Sequence, residues 1–97
     1  MVTHIVMIKF KNETSKDKIL EIKRDLEALI DSIDELKFME VGLNFANSDR
    51  AMDLVLTAKF DDKDGLKVYA NAPSHLKVKD KIKEYGEYTK VVDYINE

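Results

Sequence analysis

The sequence predicts an α+β domain in which one four-stranded antiparallel sheet carries its helices on a single face. Three observations lead there. Apolar residues alternate with a period of two in four stretches: Val2 to Phe10, Phe38 to Phe45, Met52 to Phe60 and Thr89 to Ile95. Between them, apolar residues recur every three or four positions, as on a helix. The resulting order is strand, helix, strand, strand, helix pair, strand, with no linker, internal repeat or low-complexity tract, so residues 1–97 read as one domain.

The first strand places Val2, His4, Val6, Ile8 and Phe10 on one face and Thr3, Ile5, Met7 and Lys9 on the other. Both faces are largely apolar. A strand buried on both sides needs more cover than one layer of helices supplies, and a second subunit is the simplest source. Asn12 to Ser15 is a polar turn in which Thr14 or Ser15 can cap the first helix. Ile19, Ile22, Leu26, Leu29, Ile30 and Ile33 then form one stripe along roughly five turns, against a wet face of mixed charge. Phe38 to Phe45 and Met52 to Phe60 make a hairpin across the polar turn Asn47-Ser48-Asp49-Arg50. Asp61, Asp62 and Asp64 put carboxylates at the start of the next helix, where the macrodipole favours them. Pro73 ends that helix after Asn71, and Ser74 is positioned to cap the following one. Gly86 falls near its end, before the last strand. Joined in this order the elements make a ferredoxin-like plait, with the second sheet face uncovered within the chain.

Composition narrows the function classes. With 16 basic and 19 acidic residues the formal charge is −3, the wrong sign for displacing phosphate counterions, so nucleic acid is not expected as a partner. No stretch approaches the roughly 18 apolar residues that span a membrane. The apolar run at the N-terminus is broken by His4 and Lys9, with no small-residue cleavage site after it; a cytoplasmic location is the default expectation. The absence of cysteine excludes disulfides, thiolate metal sites and a cysteine nucleophile. The two histidines, with no acidic residue at ligand spacing in sequence, give no recognisable metal site, and no phosphate loop or Ser-His-Asp pattern is present. No cofactor is expected.

The one stretch where chemistry-bearing residues collect is Tyr69-Ala70-Asn71-Ala72-Pro73-Ser74-His75, at the break between two helices. The break is expected to bring Tyr69 and His75 to one corner, with His4 facing them from the first strand. Each has a bland reading. His75 can serve the first turn of its helix, His4 can be a hydrogen-bonded core histidine, and Tyr69 can be half core and half pocket wall. Asp53 is expected to pair with Arg50 or a backbone group, and Met7, Met39 and Met52 to fill core.

His4-Ile5-Val6, Val41-Gly42-Leu43-Asn44, Ser48 to Leu56, Tyr69 with Pro73-Ser74-His75, and Val91-Val92-Asp93-Tyr94 together resemble the stress-responsive dimeric A/B barrel (Dabb) family over essentially the whole chain. The resemblance implies a homodimer in which two sheets face each other and close a barrel, with the helices outside. It also implies chemistry. In the family's plant olivetolic acid cyclase, a linear polyketide is closed by an aldol reaction without a cofactor. A tyrosine, a histidine past the proline and a strand-one histidine serve that pocket, and they match Tyr69, His75 and His4. An aldol closure needs a base beside a carbonyl and a donor for the oxyanion, tasks suited to imidazole and phenol. The chain has Ala72 where many members carry a second histidine before the proline, one residue short of a two-histidine site there. Three functions are thus expected: a homodimer binding a small, partly apolar or polyketide-like molecule through His4, Tyr69 and His75; a cyclase or isomerase with Tyr69 and His75 catalytic; or a purely structural dimer.

Overall fold

The computed structural model describes residues 1–97. Its elements are β1 (Val2–Phe10), α1 (Lys16–Ser32), β2 (Phe38–Leu43), β3 (Leu54–Phe60), α2 (Lys63–Asn71), α3 (Pro73–Tyr85) and β4 (Gly86–Ile95). The sheet runs β2-β3-β1-β4 and every neighbouring pair is antiparallel. This is the ferredoxin-like arrangement expected from the βαββαβ order.

The register sets which residues face the helices. β1 pairs His4 with Ala58 and Ile8 with Leu54 on one side, and His4 with Asp93 and Val6 with Val91 on the other. The even-numbered residues of β1 and β3 therefore meet Ile22, Leu26 and Leu29 of α1 in the core, where Ile8, Phe60 and Ile22 are wholly buried. The odd-numbered face points away from all three helices, and Met7, Val55, Val92 and Tyr94 stand exposed on it.

Local chemistry fixes the element ends. Ser15 Oγ accepts the Lys18 N–H, and Asp62 Oδ1 accepts that of Gly65 at 2.8 Å. α2 and α3 share a single hinge residue: Ala72, at φ −66° and ψ 135°, closes one helix and opens the other. Its N–H reaches Tyr69 O, and its own carbonyl accepts the Leu76 N–H. Pro73 follows at the first helical position, where a missing N–H costs nothing. The cap expected at Ser74 is thus taken one step earlier, and Ser74 Oγ instead accepts a hydrogen bond from Ser32 Oγ. At the other end of α3, a Cβ on Gly86 would lie 2.5 Å from the Ile82 carbonyl oxygen, so only glycine fits this corner. Lys11 N–H and Thr14 Oγ1 both bond the Tyr85 carbonyl there.

Three boundaries and one side chain differ from the sequence expectation. β2 stops at Leu43, because the Asn44 side chain both accepts the Ala46 N–H and donates to the Ala46 carbonyl, turning the chain out and leaving Phe45 99% exposed. β3 starts at Leu54, since Asp53 is drawn to β1: its N–H bonds Ile8 O, and its carboxylate accepts the Phe10 N–H at 2.8 Å. That carboxylate faces Lys9 at 3.5 Å, and the pairing with Arg50 does not form. β4 begins at Gly86, ahead of Thr89, because α3 runs straight into it. Ile30 lies off the buried stripe of α1 and is exposed.

Candidate functional site

Tyr69 lies near the C-terminus of α2, above the His4 end of the sheet, and is 1% exposed. Three rings surround it. His75 lies 4.4 Å away between centroids, Phe60 at 5.1 Å, and His4 edge-on at 6.0 Å. The Ala72–Pro73 hinge brings the first of these close, because α3 starts at once and carries His75 back over the end of α2. The three residues singled out in the sequence meet, and Phe60 joins them.

The hydrogen bonding of the group is uneven. His75 Nδ1 lies 3.2 Å from the Ala70 carbonyl, which can only accept, so the proton sits on Nδ1 and Nε2 keeps its lone pair. Burial holds the His75 pKa below the usual 6.5, outweighing the Ala70 bond; the charge of Lys79 and the neighbouring His4 push the same way. The neutral imidazole is the form present at neutral pH. His4 Nδ1 is engaged by the carboxylate of Asp93, its register partner on β4. The Tyr69 hydroxyl is buried and finds no hydrogen-bond partner in the protein. Burial pushes its pKa up to about 12, so it remains a neutral donor.

These side chains line a cavity of about 530 Å³ between the β1–β4 side of the sheet and helices α2 and α3. Val6, Leu26, Leu56 and Val78 give it apolar walls, while Lys79, Lys83 and Glu87 lie on its lining as exposed residues. The volume falls within the range of roughly 300–1,000 Å³ that small-molecule sites occupy. Chemically its lining brings together a phenol whose buried hydroxyl has no partner in the protein, one imidazole acceptor beside it, and a second imidazole held by a carboxylate.

Sequence reasoning missed Asp93, Lys79 and Lys83. Asp93 needed the β1–β4 register, because nothing in the sequence near His4 names its partner. The lysines had a usable signal: His75, Lys79 and Lys83 recur at four-residue steps, one face of one helix.

Residues 2–96 match the stress-responsive A/B barrel domain (Dabb). The chain belongs to that family. A stress-response A/B barrel domain-containing protein of Arabidopsis thaliana is 30% identical over 95 residues, covering 95% of this chain and 78% of the relative. Among solved structures, a dimeric protein of unknown function and ferredoxin-like fold from Bacteroides fragilis superposes with a TM-score of 0.82 at 32% identity, covering 96% of this chain and 93% of that one. The hydroxynitrile lyase of Passiflora edulis superposes with a TM-score of 0.87 at 25% identity, over 99% and 94% of the two chains. The Dabb resemblance and the fold expected from sequence both hold, and dimeric structures recur among the neighbours. No helix is long and apolar enough to cross a membrane.

Proposed function

We propose that this Dabb chain binds a small, partly apolar molecule in the cavity between sheet and helices, and that the molecule presents an oxygen to Tyr69. The observation that carries the reading is the buried Tyr69 hydroxyl without a partner. Leaving such a group unpaired costs about 1–3 kcal/mol, and a ligand oxygen would recover it. The meeting of His4, Tyr69 and His75 in one lining supports a ligand site over a purely structural dimer. The dimeric neighbours and the exposed apolar residues on the odd-numbered sheet face support a homodimer closed through that face. A thermal-shift screen of phenolic, polyketide-like and fatty-acyl compounds tests the ligand site. Stabilisation of the wild type that disappears in Tyr69→Phe is expected, and a compound that shifts both equally would place its binding elsewhere.

A second reading, acid–base catalysis without a cofactor, has its own support. Nε2 of a neutral His75 is free to take a proton, and Tyr69 beside it is a donor for a developing oxyanion. Likeness at 25% identity to a hydroxynitrile lyase adds to it. Turnover of hydroxynitriles or linear polyketide-like substrates, abolished in His75→Ala, is the expected result. Binding without turnover would leave the chain a binding protein.

A further inference from the structure

Lys79 and Lys83 stand one helical turn apart on α3, and both line the cavity. Neither makes an ion pair. Lys81, two residues from each and so on the opposite side of the helix, behaves differently: Glu21 and Asp25 of α1 hold it at 2.8 and 2.6 Å. Of the four lysines on this helix, Lys81 is held against α1, while Lys79 and Lys83 lie on the cavity lining. The one acidic residue on the lining is Glu87, beyond ion-pair distance of both. Asp93, just behind His4, is already engaged by it. Two lysines less one glutamate leave an excess of one positive charge on the lining of a chain whose net charge is −3.

We propose that the cavity selects a singly charged amphiphile, a carboxylate with one apolar chain. The carboxylate sits at Lys79 and Lys83, the chain lies along Val6, Leu56 and Val78, and an oxygen further along that chain meets the Tyr69 hydroxyl. The proposal rests on the cavity being a small-molecule site and adds the charge of its ligand. A monoanion matches the single charge in excess, whereas a dianion would outweigh it beside Glu87. Because both lysines are exposed, their ammonium groups stay solvated while they contact the head group, so the preference is modest and weakens with salt.

Isothermal titration with octanoate and with 1-octanol separates charge from chain. The wild type is expected to bind octanoate about three- to ten-fold tighter than 1-octanol at low salt, the sum of two exposed ion pairs. K79Q/K83Q is expected to bind both equally, with 1-octanol affinity unchanged. K63Q/K67Q, which removes the same charge from α2 away from this cavity, is expected to keep the preference. Equal binding of the two ligands by the wild type, or a preference that survives K79Q/K83Q, overturns the lysine proposal and leaves the cavity as a site. If neither ligand binds the wild type, the cavity site fails and the lysine proposal falls with it.

Discussion

Replacing Tyr69 with phenylalanine tests the central feature of the site without any ligand. The substitution keeps the ring and its contacts with Phe60 and His75 and removes only the hydroxyl. If that hydroxyl were paired, its loss would cost about 1 kcal/mol, the usual net worth of a protein hydrogen bond. It is buried and unpaired, so the sign reverses. Relief of an unsatisfied hydroxyl is worth about 1–3 kcal/mol. For a domain of about 100 residues each kcal/mol moves Tm by roughly 4–8 °C. Tyr69→Phe is therefore expected to melt at least about 4 °C above the wild type. Calorimetry at matched protomer concentration is the assay, because the Tm of a self-associating protein depends on concentration. A Tm that falls, or stays within error, would refute the reasoning: the hydroxyl would then have a partner in the native protein and no vacancy to offer a ligand.

Other expectations follow from the same geometry. His75 should titrate below its ordinary 6.5. Below pH 6.5 the unfolded imidazole takes its proton before the folded one, so the neutral site's contribution is complete above 6.5 and is lost as pH falls through the lower folded value. An NMR titration of the two imidazoles checks this, and a His75 midpoint at or above 6.5 contradicts it. Val92→Lys puts a charge on the outer sheet face, at a residue 51% exposed in the single chain. Light scattering should give twice the 11.2 kDa chain mass for the wild type and a lower mass for the variant; a wild-type mass of one chain removes the dimer. Gly86→Ala forces a methyl to within 2.5 Å of the Ile82 carbonyl. It should lower stability by about 1–3 kcal/mol in urea unfolding, and an unchanged midpoint would mean that the α3–β4 corner yields freely.

Much of this was legible in the chain because it is local. The period-two stretches gave β1 its bounds, Ser15 capped α1 as its hydroxyl predicts, and Pro73 divided the helix pair. Errors arose where two local rules competed. Phe45 continues the apolar alternation, but the Asn44 side chain bends the backbone away first. Ser74 is a good cap by type, yet proline's fitness for the first helical position moves the boundary to Ala72. Of the site, His4, Tyr69 and His75 were visible as residue types beside a helix break. The carboxylate on His4 was not, because it depends on which of the β4 residues pairs with residue 4. The unpartnered phenol was invisible for a deeper reason: satisfaction of a hydroxyl is a property of everything packed round it, and no sequence position carries it alone.

The single hinge at Ala72 makes the spacing between Tyr69 and His75 a matter of counting. With one residue serving as the end of α2 and the start of α3, there is no slack loop to absorb a change in length. An insertion after Asn71 that lengthened α3 at its start would turn everything beyond it by about 100° round the helix axis and advance it by about 1.5 Å. His75, Lys79 and Lys83 would leave the cavity together, and Lys81 would lose its place against α1. Length variation in related chains should therefore collect elsewhere, in the exposed turn from Asn44 to Arg50 above all, while the six-residue step from Tyr69 to His75 is kept.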